Sequence, residues 1–239
     1  FGLMIRNSEN AAYNYHKQMV GSGSAWSTSD GQQMLWDAER TPVTMKAYAP
    51  FMSEATPDAS LTVNALTNQS TEENVKSSDF LLMKATVDPE QDLTADGKLK
   101  ISLNHAMSKL IIKITVNGTT DASMSKLGDM AINGAVVNAT CDLSAAAPVV
   151  VPAADAVVAT VAPYKGTESC ECILPPQKIA EGFSVNFSYD GKLYIWTAKE
   201  AIELEKGVEH TLTLNVNTTA RLAGMVARDW ATGQLSDRN

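Results

Sequence analysis

The chain has 239 residues, 44% hydrophobic and 19% charged, enough apolar material for a core and too little charge for charge-driven disorder. Nineteen basic residues stand against 27 acidic ones, giving a net charge of −8 and a pI near 4.9. Such a chain repels phosphate backbones, and with no Lys/Arg cluster to make a local exception, nucleic acid is not expected as a partner. No apolar run approaches the ~20 residues of a membrane helix; the longest, Ala145 to Ala162, is broken by Pro148, Pro152 and Asp155.

Taken in chain order, period-two alternation dominates. Val43, Met45, Ala47 and Ala49 alternate with Thr44, Lys46 and Tyr48, predicting a strand with one face on a core and one in water. A polar, turn-rich stretch at residues 88–98, including Asp88-Pro89-Glu90-Gln91-Asp92 and Asp96-Gly97, predicts a boundary between residues 1–95 and 96–239. Leu99, Ile101 and Leu103 read as a strand, as do Leu110, Ile112, Ile114 and Val116. Ser123 to Met130 and Thr197 to Leu204 are the candidate short helices, and 145–162 reads as edge strand and loop, where proline is tolerated. Phe183, Val185, Phe187 and Tyr189, then Asp190-Gly191 and Lys192 to Thr197, predict a hairpin. Asn117-Gly118 and Asn133-Gly134 read as further tight turns, and Leu212, Leu214 and Val216 close the series. The half-exposed pattern predicts antiparallel sheets, so the expected fold is all-β, built from sandwiches.

No catalytic constellation emerges. His16, His105 and His210 are widely spaced and read as surface or hydrogen-bonded structural residues. Gly21-Ser22-Gly23-Ser24 lacks the strand-to-helix context and the lysine of a phosphate loop, and reads as a flexible loop. Asp88, Glu90 and Asp92 have the 1-3-5 spacing of a calcium loop, but Leu93 stands where glycine is required, so a solvated turn is the better reading. Glu203 and Glu205 read as a solvated pair. No catalytic residue, metal or cofactor is expected. Cys141, Cys170 and Cys172 leave two readings open: one bond from Cys141 to either of the others, or three buried thiols. Trp26, Trp36, Tyr13, Tyr15 and Tyr48 are the candidates for a glycan-binding platform in the first half, against a core role for Trp36.

Several segments, in order, resemble the fimbrillin-like (Mfa-like) proteins of type V pili and related surface lipoproteins. They are Phe1-Gly2-Leu3-Met4, Trp26, Leu35-Trp36, Val43 to Phe51, Asp79 to Met83 and Leu99 to Leu110. Ile173-Leu174-Pro175-Pro176-Gln177, Gly182 to Trp196, Gly207 to Val216 and Trp230-Ala231-Thr232-Gly233 complete the set. The resemblance implies two tandem transthyretin-like antiparallel β-sandwich domains, 1–95 and 96–239, displayed at the cell surface, in a fimbrium or on the outer membrane, after export through the periplasm. Its partners would be other fimbrial subunits, the same chain or related ones. The resemblance further implies that a protease removes a first strand after an arginine, and that a strand from the next subunit enters the groove so opened. In the family that strand and arginine precede the Phe-Gly segment, and neither Arg6 nor Arg40 matches the site. Membrane contact would come through a lipid anchor on a leader outside this sequence.

A donor strand would lie near the C-terminus, where Leu222, Met225, Val226 and Trp230 are the candidates. Their apolar positions do not alternate cleanly, so a last strand packed on its own domain is the competing reading. The alternative function is a monomeric surface lipoprotein that binds a glycan or a host protein.

Overall fold

The computed structural model describes residues 1–22, 25–56, 59–118, 120–216 and 221–229. The first strands are β1 (Gly2–Arg6), β2 (Tyr15–Ser22), β3 (Ala25–Thr28), β4 (Val43–Ala49) and β5 (Ser60–Thr62), followed by helix α1 (Glu72–Ser78). Next come β6 (Leu81–Val87), β7 (Asn104–His105), β8 (Ser108–Val116), β9 (Thr120–Asp121), β10 (Leu127–Val136), β11 (Ala139–Asp142) and β12 (Val150–Pro152). The rest are β13 (Val158–Val161), β14 (Tyr164–Lys165), β15 (Cys170–Leu174), β16 (Gln177–Ile179), β17 (Ser184–Tyr189), β18 (Lys192–Thr197), β19 (Ile202–Leu204), β20 (Val208–Val216) and β21 (Arg221–Asp229). Among the described residues no helix is long and apolar enough to cross a membrane.

The chain is all-β, as the alternation predicts. One sheet runs β3-β2-β1-β4-β6-β7 and another β14-β15-β8-β20-β21, with β9 beside β8. A four-stranded sheet, β13-β10-β17-β18, and a three-stranded one, β12-β11-β5, complete the main body with the small pair β16-β19. Among the described strands pairing is antiparallel except between β8 and β20, which run parallel from Lys109↔Glu209 to Val116↔Val216; an isolated parallel bridge also joins Asn68 and Ala162. The larger core gathers Leu110, Ile112 and Ile114 of β8 and Leu212 and Leu214 of the neighbouring β20 with Ile132, Val185 and Phe187 of the four-stranded sheet.

Several local expectations are corrected. Leu99 to Leu103 forms no ladder beyond a bridge between Leu93 and Leu99; its alternate residues pack on the first sheet as an unpaired segment. Asn133-Gly134 lies inside β10, where the register shifts against β13, so it is a bulge and not a turn. Gly134 has φ +94, and a Cβ there would stand 2.6 Å from the Gly182 carbonyl oxygen and 2.8 Å from Phe183 Cα. Residues 124–126 make one 3₁₀ turn before β10, and the segment after Thr197 forms β19 where a helix was expected. The helix that does form, α1, starts at Thr71, whose hydroxyl accepts from the Asn74 N–H at 3.2 Å, with Glu72 and Glu73 in the first turn.

The segment around α1 crosses the predicted boundary. β5 pairs with β11 through Thr62↔Thr140, Leu61↔Cys141 and Ser60↔Asp142. Gln69 is fully buried, and its side chain accepts from the Ile173 N–H at 2.8 Å and donates to the Ile173 carbonyl at 2.8 Å and the Leu66 carbonyl at 2.9 Å. Gln177 does the same for Val136, at 2.9 Å in both directions. In each case an amide side chain stands where a neighbouring strand would otherwise satisfy the backbone.

Candidate functional site: an apolar groove on the first sheet

Both faces of the first sheet are covered, where the alternation predicts one of them in water; Leu3, Val43 and Met45 on the aliphatic face are 3%, 1% and 2% exposed. The face carrying Lys46 and Tyr48 is buried, at 4% and 0% exposure. Met4, Tyr48 and Leu82 join the larger core there. His16 Nε2 lies 2.8 Å from the Tyr48 hydroxyl, which donates to the Met52 carbonyl at 3.0 Å. Burial pushes the Tyr48 phenol up to about 12. The opposite, aliphatic face of Leu3, Ile5, Met19, Val43 and Met45 forms the floor of a groove of about 860 Å³.

Among the described residues no second sheet closes this groove. Its walls are two connecting segments and a hairpin: Met34, Leu35 and Trp36 on one side, Leu93 and Lys98 to Ser102 on another, with Phe1, Tyr13, Tyr15 and Trp26 around the mouth. The wall segments are held by specific bonds. The Tyr15 hydroxyl donates to the Leu35 carbonyl and accepts from the Leu35 N–H, both at 3.2 Å. Asp37 accepts from the Asn7 side chain at 2.7 Å and the Thr41 N–H at 2.8 Å, and those bonds hold its carboxyl below the usual range. Thr94 and Asp96 close the turn at Gly97, and Lys98 pairs with Asp96 at 2.6 Å. Phe1 meets Trp26 edge-on, with ring centroids 4.9 Å apart.

An apolar floor with aromatic walls can hold an extended apolar segment; it presents no nucleophile with a base and no ligand set. Among the described residues no group of three or more His, Cys, Asp or Glu could hold a metal. His105 pairs with Asp79 at 2.8 Å. The Glu205 N–H donates to His210 Nε2 at 3.0 Å; burial lowers the pKa of His210. All three thiols are buried and unpaired, which selects between the two cysteine readings. Asp88 and Asp92 bond to the backbone of their own turn.

Of the aromatic candidates, Tyr13, Tyr15, Trp26 and Trp36 line the groove, while Tyr48 is buried on the other face. The floor was not read as a site from sequence; the apolar run Phe1 to Ile5 was its available signal. Leu222, Met225 and Val226 lie in β21, in register with Leu214, Leu212 and Thr211 of β20 of the same chain; Trp230 falls outside the described residues.

A fimbrillin-like family profile matches residues 2–230, and no curated protein matches the chain. The fold is similar to a provisionally assigned cell adhesion protein from Bacteroides uniformis, with TM-score 0.72 at 16% identity, covering 96% of this chain and 91% of that one. A second such protein, from Bacteroides ovatus, gives 0.67 at 16% identity over 98% and 88% of the two chains. The C-terminally truncated tip fimbrial protein Mfa3 of Porphyromonas gingivalis gives 0.56 at 10% identity over 96% and 93%. The chain belongs to the fimbrillin-like family, and is therefore a fimbrial or adhesion-related subunit of the cell surface with a structural and not an enzymatic role.

Proposed function

We propose that this chain is a structural subunit of a surface fimbria, and that the groove on its first sheet accepts a β-strand from a neighbouring subunit. The observation that carries this reading is the groove itself: an aliphatic sheet face roofed only by connecting segments, with about 860 Å³ between them. A sheet buries its apolar face against another layer, and an added strand supplies that layer along with partners for free backbone groups. On this reading the chain folds as two sandwich units and passes through the periplasm to the outer membrane. A lipid anchor on a preceding leader would tether it there. The C-terminal candidates Leu222, Met225, Val226 and Trp230 would then serve as donor after leaving β20.

The test uses the purified chain at high concentration, with unheated SDS gels read for a ladder and electron microscopy for filaments. Ile101→Asp places a carboxylate on the partly exposed groove wall, and is expected to abolish the ladder while leaving the monomer folded. A ladder unaffected by that substitution would remove the groove from the assembly. A second reading, a monomeric binder of a glycan or host protein, is favoured by the five aromatic side chains around the groove. It predicts a stable monomer whose saturable glycan binding is lost in Trp26→Ala.

A further inference from the structure

The four-stranded sheet ends on β18. Edge strands in soluble proteins are ordinarily blunted by proline, bulges or inward-pointing charges, because an open edge is a template for another chain. β18 has none of these between its ends. It pairs with β17 over six consecutive residues, Lys192↔Tyr189 to Thr197↔Ser184, with no register shift. Leu193 and Ile195 project from it at 86% and 70% exposure. Their neighbours on β17 are Ser188 and Asn186, so the apolar surface is confined to the edge and does not continue across the sheet face.

The hydrogen-bond phase identifies the unpaired backbone groups. The Ala198 N–H donates to the Phe183 carbonyl at 2.9 Å. Alternation along an antiparallel ladder then turns the groups of Trp196, Tyr194 and Lys192 toward β17, and those of Thr197, Ile195 and Leu193 outward.

We propose that β18 pairs antiparallel with β18 of a second copy, about a two-fold axis at Tyr194. In that register Leu193 faces Ile195 of the second copy, and each of these pairs exchanges two N–H···O bonds between outward groups. Facing residues share a sheet face, so the four aliphatic side chains form one cluster on the outer side. Charge selects the same register. The Asp190 end comes beside Ala198 and Lys199 of the other copy, whereas an axis at Ile195 would set Asp190 opposite Glu200. An axis at Leu193 would push the pairing past the Asp190-Gly191 turn. One strand edge falls short of the ~1,200 Å² of a stable interface, so the contact is weak between free copies and gains strength where many copies are aligned. This pairing is independent of the groove, and would join subunits side by side.

The test is residue-resolved hydrogen exchange on the purified chain from about 10 μM to about 1 mM, with sedimentation equilibrium alongside. The amides of Leu193 and Ile195 should gain about tenfold protection at the upper concentration, and those of Lys192, Tyr194 and Trp196 should not change. Ile195→Lys should raise the dimer dissociation constant at least about tenfold. Ile195→Pro, which removes an outward N–H together with the aliphatic side chain, should do the same without adding charge. Concentration-independent exchange at Leu193 and Ile195 would overturn the proposal. So would a dimer that persists in Ile195→Lys or, in an Ile101→Asp background that blocks the groove, protection accompanied by species larger than a dimer, since a two-fold contact closes on itself.

Discussion

Replacing Gln69 by methionine keeps most of the side-chain volume and removes every polar contact it makes. Three hydrogen bonds of 2.8 to 2.9 Å are lost, two of them to the N–H and C=O of Ile173. Ile173 is 1% exposed and Gln69 fully buried, so water cannot replace the missing partners. β14 begins at Tyr164 opposite Glu171, so its ladder does not reach Ile173 either. Each buried group left unpaired costs about 1–3 kcal/mol, which puts the substitution near ~4 kcal/mol. That is a large part of the ~5–15 kcal/mol of a typical domain. Urea denaturation should show the loss as a lower midpoint at an unchanged slope. Gln69→Ala should cost a further ~1–2 kcal/mol for the space it opens. A Gln69→Met protein within ~1 kcal/mol of the parent would refute the claim that this amide stands in for a strand.

Gly134→Ala should destabilise by about 2–4 kcal/mol, read by thermal melting, because its φ and the nearby Gly182–Phe183 backbone both refuse a Cβ; a shift within error would contradict the bulge geometry. Burial lowers the pKa of His16 and His210 below the ordinary 6.5, so the unfolded chain binds more protons in acid. Their contribution to stability is therefore complete above 6.5 and declines as pH falls below it. His210→Gln should flatten that acid slope in denaturation midpoints, and an unchanged slope would exclude His210 as a source. Burial raises the thiols of Cys141 and Cys170 to about 11, and that of Cys172 further. The folded chain should accordingly resist a thiol reagent at pH 8, with three equivalents reacting in guanidinium; fast native labelling would refute their burial.

Much of the fold is legible where a strand has one wet face. β8, β17 and β20 follow their period-two patterns closely, and Asp190-Gly191 makes its turn with φ of 51° and 75°. Leu99 to Leu103 marks the limit of that inference: alternation reports which side chains are buried, and this segment buries them without joining a ladder. β4 shows a related limit, because Lys46 and Tyr48 look like a solvent face and lie inside the protein. Pairing partners were not readable either; no local pattern announces that β5 belongs beside β11, or that β8 and β20 run parallel. The groove was half legible. Four of its aromatics stand out in sequence, but its defining property is that connecting segments, in place of a second sheet, cover Leu3, Val43 and Met45, which no residue of the chain encodes by itself.

The parallel pairing at the centre of the larger sheet ties together residues about a hundred positions apart, as the Ser108 to Val208 contact illustrates. Gln69 and Ile173 are separated by a similar 104. Each of these closures waits for chain that is made late, so the loop entropy is spent before the rewarding contacts form. A polypeptide leaving the ribosome residue by residue could not finish its main sheet until the segment of β20 had appeared. The topology thus acts as a delay, holding the two halves of that sheet apart until the segment of β20 is available to join them.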